Sequence, residues 1–553
     1  MNDVIHTAEA ANTASRGMTG DVLSSRTRWF SICLILLLII IVRVRLADVP
    51  LERDEGEYAY MGQLLLQGIP PYSIAYNMKF PGTYLMYAII MSLFGQTTQG
   101  IHLGFMLLNC ITIVMLFLFT KRLINDVAAV AAAGAYGILS LGSSVFGFAA
   151  HATHFVALPA VSGALLLHHA LEKNKLSWYF FSGAAFGLAF LMKQPGVFFI
   201  LFGASCIIYQ NLTSGSGRFY QRNILHLALF LFAAIMPLLV SMIWLYSVGV
   251  FDTFWFWTVQ YASKYGTQIP FSEAFSVFRG SVFGVINGFW LLWAISGLGF
   301  LVLLFHRELS QRRMFIVLFV VFSFFSICPG FYFRKHYFVT LLPAIALFVG
   351  IFIDFIHKRS ISYSASAWAR FVGLGLFVAI VLAGVIHQKE YLFKDDPVVV
   401  SRKAYGFNPF PESVEIARFI ELRSSPNDKI AVFGSEPQIY FYSKRASATG
   451  YIYTYSLMED HEYRLSMQQE MAREVESAGP KLIIVVDVYH SWSTEPKSER
   501  YIFRWLNDYV KSRYTLVGVV DILSPAQTIY KWDNDARNYS VQSKSNVLIF
   551  ERS

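Results

Sequence analysis

The segment Leu51-Glu52-Arg53-Asp54-Glu55-Gly56-Glu57-Tyr58 carries four carboxylates in six positions. Crowding of like charges raises some carboxyl pKa values and can make a base of one of them, so Asp54 and Glu55 are the candidate catalytic groups, with Glu57 beside them. A structural role competes. Asp54 is also the expected N-cap of a helix over residues 55–67, closed by Gly68, with Glu57 completing an approximate capping box. The two roles are compatible, because a capping residue is rigidly placed.

Cations that a phosphate would neutralise recur downstream. Lys79 stands just before an apolar helix expected over residues 81–94, and an ammonium beside a helix N-terminus favours a phosphate. The run Phe331-Tyr332-Phe333-Arg334-Lys335-His336-Tyr337 offers a bidentate guanidinium and a point charge to the same kind of group. Lipid headgroups are the ordinary alternative for both. Lys193, in Met192-Lys193-Gln194-Pro195-Gly196, interrupts apolar sequence, where a lysine either functions or snorkels. His151 and His154 lie three positions apart, a spacing that shares a helix face and suits a metal, although ordinary interfacial histidines show it too.

The elements that must hold these residues are membrane helices. The chain has 553 residues, 55% of them hydrophobic and only 15% charged, with a mean hydropathy of +0.47, which no soluble globular protein shows. Its net charge of +9 is what basic cytoplasmic loops give a membrane protein, so nucleic acid is excluded as a partner. Cys33, Cys110, Cys206 and Cys328 all fall in apolar segments and imply neither disulfides nor a zinc framework. The apolar run 29–41 follows a polar tail over residues 1–28 without a small-residue cleavage site, which reads as an uncleaved signal-anchor.

A span needs about 20 apolar residues. About eleven candidates begin near Trp29, Ile101, Val127, Ala152, Trp178, Gly196, Ile224, Val282, Met314, Phe338 and Phe371. Alternate linkers carry Arg26 and Arg28, Lys121 and Arg122, Lys173 and Lys175, Arg218 and Arg222, Arg307 to Arg313, and Lys358 to Arg370. The positive-inside rule makes those linkers cytoplasmic. A cytoplasmic N-terminus in a bacterial inner membrane follows, with the outer loops 47–100 and 249–281 and the region beyond His387 facing outward. Arg43 and Arg45, at the outer end of the first span, run against the rule.

The chain thus divides into a tail over residues 1–28, a membrane domain over 29–390 and a soluble domain over 391–553. In the last, strands are expected over 429–434, 481–487, 514–521 and 546–551, and helices over 412–423, 462–478 and 499–512, an α/β layer without a nucleotide fingerprint.

Asp54-Glu55-Gly56-Glu57-Tyr58, Gly68-Ile69-Pro70-Pro71-Tyr72, Lys79-Phe80-Pro81, Lys193-Gln194-Pro195-Gly196 and Arg334-Lys335-His336-Tyr337 follow one another on the outward side, before an outward C-terminal domain. In this order they resemble the GT-C superfamily of membrane glycosyltransferases. More narrowly, they are similar to the dolichyl-phosphate-mannose protein mannosyltransferase-like group that includes bacterial aminoarabinose transferases acting on lipid A.

The resemblance implies a polytopic α-helical membrane protein of about eleven spans with an outward α/β domain, and an inverting transfer of one sugar from a polyprenyl-phosphate donor to a protein, lipid or glycan. It implies Asp54 as base or acceptor-orienting group and Lys79 and Arg334, with Lys335 and His336, around the donor phosphate. A divalent metal is the one cofactor such a site would take. Met78 stands where the aminoarabinose transferases carry an acidic residue, and the turn with His151 and His154 lacks another. A transporter or flippase of lipid-linked sugars is the competing class. Transporters place polar groups at the midplane within repeats, whereas here the ionisable residues gather at one interface and no repeat is visible.

Overall fold

The computed structural model of the protein describes residues 23–213, 217–364 and 366–553. The tail expected over residues 1–28 therefore lies largely outside the described residues. Helix α1 (Ser25–Arg45) starts where the Ser24 hydroxyl accepts from the Thr27 amide. The loop that follows is not irregular. It forms α2 (Arg53–Leu66) and the apolar α3 (Pro81–Phe94), which has proline at its first position.

The bundle continues through α4 (Thr98–Leu123), α5 (Asp126–Leu141), α6 (Ala152–Lys173), α7 (Leu176–Met192), α8 (Val197–Thr213) and α9 (Gly217–Ser247). Next come α10 (Phe271–Asn287), α11 (Trp290–Phe305), α12 (Ser310–Phe325), α13 (Leu342–Tyr363) and α14 (Val372–His387). Among the described residues, six helical segments are long and apolar enough to cross a membrane singly, which makes this a multi-pass membrane protein. The shorter apolar helices find room by close backbone approach. A Cβ on Gly183 of α7 would lie 2.2 Å from the Phe230 carbonyl oxygen of α9, the contact that small residues permit between helices in lipid.

Two expectations need correction. The span expected from Val282 is not one straight helix, because α10 and α11 meet at 110°. The break sits at Gly288 and Phe289, where the Gln388 amide donates to the Gly288 carbonyl (2.9 Å) and the buried Phe289 ring packs over Gly384, so the kink is satisfied by α14. The helix after the first span starts two residues earlier than expected, and Asp54 does not cap it. Glu52 is the N-cap: its side chain accepts from the Glu55 amide (3.0 Å), and Glu55 returns the bond to the Glu52 amide. The capping box is thus Glu52 with Glu55, which leaves Asp54 and Glu57 free for other partners.

Basic linkers collect at one end of the bundle. Arg28 pairs with Asp126 (2.9 Å), Arg122 with Glu172, and Lys358 with Glu308 (2.9 Å) and Asp354 (3.1 Å), while Asn125 donates to Asp354 (2.7 Å). The side chains of Arg218 and Arg222 lie outside the described residues. Arg43 and Arg45, the exceptions to the charge rule, are consumed internally. Arg43 is buried and donates to Asn109 (3.1 Å), Gly147 O (3.0 Å) and Ser140 O (3.3 Å), and Arg45 donates to the Tyr391 carbonyl (3.0 Å). An arginine satisfied by carbonyls inside a bundle says nothing about which side it faces.

At the other end sits a six-stranded sheet in the order β2-β1-β3-β6-β4-β5. Strands β1 (Lys429–Phe433), β2 (Ala446–Ser447) and β3 (Leu482–Asp487) are parallel; β4 (Tyr514–Ser524), β5 (Gln527–Trp532) and β6 (Asn546–Arg552) join antiparallel. The sequence reading missed β2 and β5. The first has two residues; the second is edge sequence whose side chains are nowhere fully buried, so its hydrophobic alternation is weak.

Helix α2 joins bundle to sheet. Tyr60 stacks on Tyr440 (5.1 Å) and its hydroxyl accepts from the Ser447 amide (2.8 Å), while the Tyr76 amide donates to Gly450 O (2.7 Å).

Candidate functional site

Where α2, the start of α6, the α7–α8 break and the loop before α13 converge beneath the sheet domain, the protein encloses a cavity of about 620 Å³. Asp54, Lys79, His151, Lys193, Arg334, Lys335 and His336 all line it. Residues 282 positions apart thus meet at one site, Asp54 being the first and His336 the last.

Asp54 projects from the first turn of α2 and is 20% exposed. Its Oδ1 accepts from Lys79 Nζ (2.8 Å) and from the Tyr453 hydroxyl (2.9 Å). Burial alone would raise its pKa, but the Lys79 ammonium outweighs that and holds the carboxyl well below its usual range, so Asp54 is ionised. Glu57 shares the same ammonium from the buried side and accepts from the Tyr84 hydroxyl (2.7 Å); burial pushes it up to about 7. Glu55 lies outside the cavity. Its carboxylate accepts from the Ala150 amide (2.7 Å) and sits 2.9 Å from His102 Nε2, which ties α2 to α4 and to the turn before α6. The expectation that Glu55 could serve as the base meets a carboxylate already spent on structure.

Lys79 departs from the expectation of a phosphate ligand in a similar way: its ammonium is committed to Asp54 and Glu57 and lies over the Tyr58 ring (4.6 Å). The cations left over are Lys193, Arg334 and Lys335. Among the described residues no carboxylate comes within ion-pair distance of any of the three. Lys193 stands in the break between α7 and α8, over the Tyr337 ring (4.1 Å), and burial lowers its pKa to about 7. Arg334 donates to the Tyr265 hydroxyl (3.3 Å), and Tyr265 stacks on Tyr332 (4.7 Å). The loop that aims Arg334 and Lys335 holds Phe331 (φ 56°) and Phe333 (φ 42°) left-handed, a strain non-glycine residues keep where surroundings impose it.

The paired-histidine expectation is corrected. His151 precedes α6 as its N-cap in extended conformation, so helical spacing does not put it on one face with His154. His154 turns inward against Phe105 (4.7 Å). The partners of His151 come from elsewhere. Its ring stacks on His336 (4.2 Å), and donor atoms of Asp54, His151 and His336 lie within 4.8 Å of one another.

Burial holds both imidazoles in the neutral, ligating form, His151 at about 4 and His336 well below its ordinary value. Among the described residues, both ring nitrogens of His151 are buried without a hydrogen-bond partner. Two neutral imidazoles and a carboxylate, one of them with orphaned nitrogens, fit a divalent transition metal.

Sequence reasoning missed several lining residues. Arg53 donates to Ser435 O (2.6 Å) and Asn408 (3.1 Å) and pairs with the buried Glu436 (3.1 Å), fastening the carboxylate-bearing turn to the sheet domain. Tyr261, Tyr265, Tyr453 and Tyr455 make the aromatic roof. A π-helical turn at residues 256–261, of the kind that marks functional sites, breaks that segment, but nothing in its composition announces it.

Residues 79–244 match the family model described as dolichyl-phosphate-mannose-protein mannosyltransferase. No curated protein sequence matches the chain. Among solved structures, ArnT from Cupriavidus metallidurans bound to undecaprenyl phosphate is similar at a TM-score of 0.58 and 16% identity, covering 94% of this chain and 97% of that one. Its apo state gives 0.57 and 15%, over 95% and 98%. The archaeal oligosaccharyltransferase AglB from Archaeoglobus fulgidus, in complex with an inhibitory peptide and a dolichol-phosphate, gives 0.49 and 12%, over 94% and 76%. At these identities the likeness to ArnT is one of fold.

Proposed function

We propose that this chain, by its fold a member of the GT-C superfamily of membrane glycosyltransferases, moves a monosaccharide from a polyprenyl-phosphate donor to an acceptor hydroxyl with inversion at the anomeric carbon. The observation that carries this reading is the set of cations without carboxylate partners, Lys193, Arg334 and Lys335, around one cavity with the ionised Asp54. Lys193 is half-buried and Arg334 and Lys335 reach the cavity from its open side, so like charges converge there and an anionic ligand would balance them. A phosphate on a lipid supplies the anion, and the matched ArnT structure holds undecaprenyl phosphate.

In this scheme the acceptor oxygen bonds to the anomeric carbon while the carbon–oxygen bond to phosphate breaks, its electron pair leaving on the polyprenyl phosphate. Lys193, Arg334 and Lys335 neutralise that leaving group. The hydroxyl proton passes to Asp54. A carboxylate below its usual pKa suffices, because the hydroxyl turns strongly acidic only as its oxygen bonds to carbon. Lys79 orients Asp54. A divalent metal held by Asp54, His151 and His336 would supply Lewis-acid charge neutralisation at the same spot. The unpaired cations lie beyond the helix ends, which suits catalysis at an interface better than carriage through the midplane.

Sugar transfer from synthetic polyprenyl-phosphate donors, in parallel with donor binding, tests the reading with purified Asp54→Asn. Asparagine keeps the size and the Tyr453 bond, and Asp54 caps nothing, so folding and donor binding should persist while turnover falls by about 10²- to 10⁴-fold. Near-normal turnover would remove Asp54 from the chemistry.

A further inference from the structure

A second, larger cavity of about 1190 Å³ adjoins the first on the sheet side. We propose that it seats the acceptor and that the acceptor is a saccharide arriving through water; the proposal rests on the transferase reading of the inner cavity. The two cavities share Arg53, Tyr332, Arg334, Tyr405, Tyr455 and Glu459. A ligand in the outer cavity therefore faces the donor across one wall of side chains, with Asp54 next in sequence to a residue of that wall.

Position supports a binding role. Val488, Tyr489, His490 and Trp492 line the outer cavity directly after β3, and the wall residue Arg53 is bonded to Ser435 and Glu436 directly after β1. Strands β1 and β3 are parallel neighbours, and the crevice outside the carboxyl ends of parallel strands is where open α/β sheets bind ligands. Tyr489 is 68% and Phe407 41% exposed, aromatic rings held at the mouth and left open to solvent among the described residues.

Composition narrows the ligand. None of the lining comes from a helix long and apolar enough to cross a membrane, which favours a ligand arriving from water over one held in lipid. Flat rings alternate with Glu495, Lys497 and His490, and that mixture stacks on the C–H faces of pyranose rings while bonding their hydroxyls. A peptide that bound by adding a strand would lie on a sheet edge, yet the edge strands β2 and β5 contribute nothing to the lining. The volume exceeds the ~300–1,000 Å³ of ordinary small-ligand sites, which suits an oligosaccharide over a single sugar.

The test incubates purified full-length protein with envelopes of a source strain lacking the gene. Radiolabelled polyprenyl-phosphate mannose, glucose, galactose and aminoarabinose serve as donors in parallel. The proposal expects label in water-soluble material larger than free sugar whose size is unchanged by protease and by alkaline deacylation. It also expects Tyr489→Ala with Phe407→Ala, both at exposed positions, to raise the acceptor KM about tenfold and the donor KM hardly at all, with an unchanged melting temperature. Label released as peptide, label that stays with lipid until deacylation, or transfer indifferent to the double substitution would each overturn the cleft assignment while leaving the donor reading intact. Failure of the parent protein to consume any of the donors would remove the transferase reading and this assignment with it.

Discussion

At the scale of single residues, the site divides its charges between two tasks. Lys79 balances Asp54 and Glu57, and the cations without carboxylates await an anion. Lys193 makes the second task dependent on pH. Burial lowers its pKa from 10.5 to about 7, so the folded protein binds fewer protons than the unfolded chain between those values, and stability falls as pH drops through that window. A phosphate ligand reverses the preference by favouring the charged lysine. Donor KM should therefore fall as pH is lowered from about 8.5 to about 6, since a sugar phosphodiester does not itself titrate there. Glu57 also titrates near 7, but it lies outside the cavity against Tyr84. Lys193→Met separates the two: donor KM measured across that range should become flat, and a persisting slope would assign the effect to Glu57.

Among elements, α2 does the positioning, because it presents Asp54 to the cavity while its opposite side fastens the sheet domain. The fit there is tight. A Cβ on Gly56 would lie 2.6 Å from both the backbone nitrogen and the Cβ of Gln438, at the start of a helix (Gln438–Ser443) that packs on α2. Gly56→Ala must push the two apart, at a cost of about 1 to 3 kcal/mol for an overpacked interior. The expected outcome is a lower melting temperature and a loss of turnover larger than any rise in donor KM. Gly280→Ala, on α10 with open space around it, is the matched control and should leave both unchanged or raise stability slightly. Equal behaviour of the two variants in thermal melts would show that the α2 contact does not position the site.

For the whole molecule, the basic linkers meet at one end and the cavity with the sheet domain occupies the other. The proposed orientation places the first end in the cytoplasm. Alkaline phosphatase fused after Lys389 should then be active and fused after Arg313 silent. The reverse pattern would put the sheet domain in the cytoplasm and leave the lipid-phosphate donor on the wrong side.

Composition and local periodicity were enough to read part of the fold. Apolar runs long enough for lipid became helices, Pro81 and Phe94 bounded their helix as expected, and residues 412–423 formed the amphipathic helix read from them. The candidate residues were legible because charge in an apolar chain is expensive and so rarely idle. How those charges are shared depends on the folded arrangement alone. Glu55 and Asp54 are neighbours of the same type, yet α4 and the turn before α6 claim one and the cavity receives the other. His151 leaves His154 for His336, because helix α6 starts one residue too late to pair them. Lys79 looked like Arg334 from its surroundings in sequence, and only the distance to Asp54 shows that it is already neutralised. Pairing energies depend on separations of a few ångströms between residues hundreds of positions apart, and no local pattern encodes such separations.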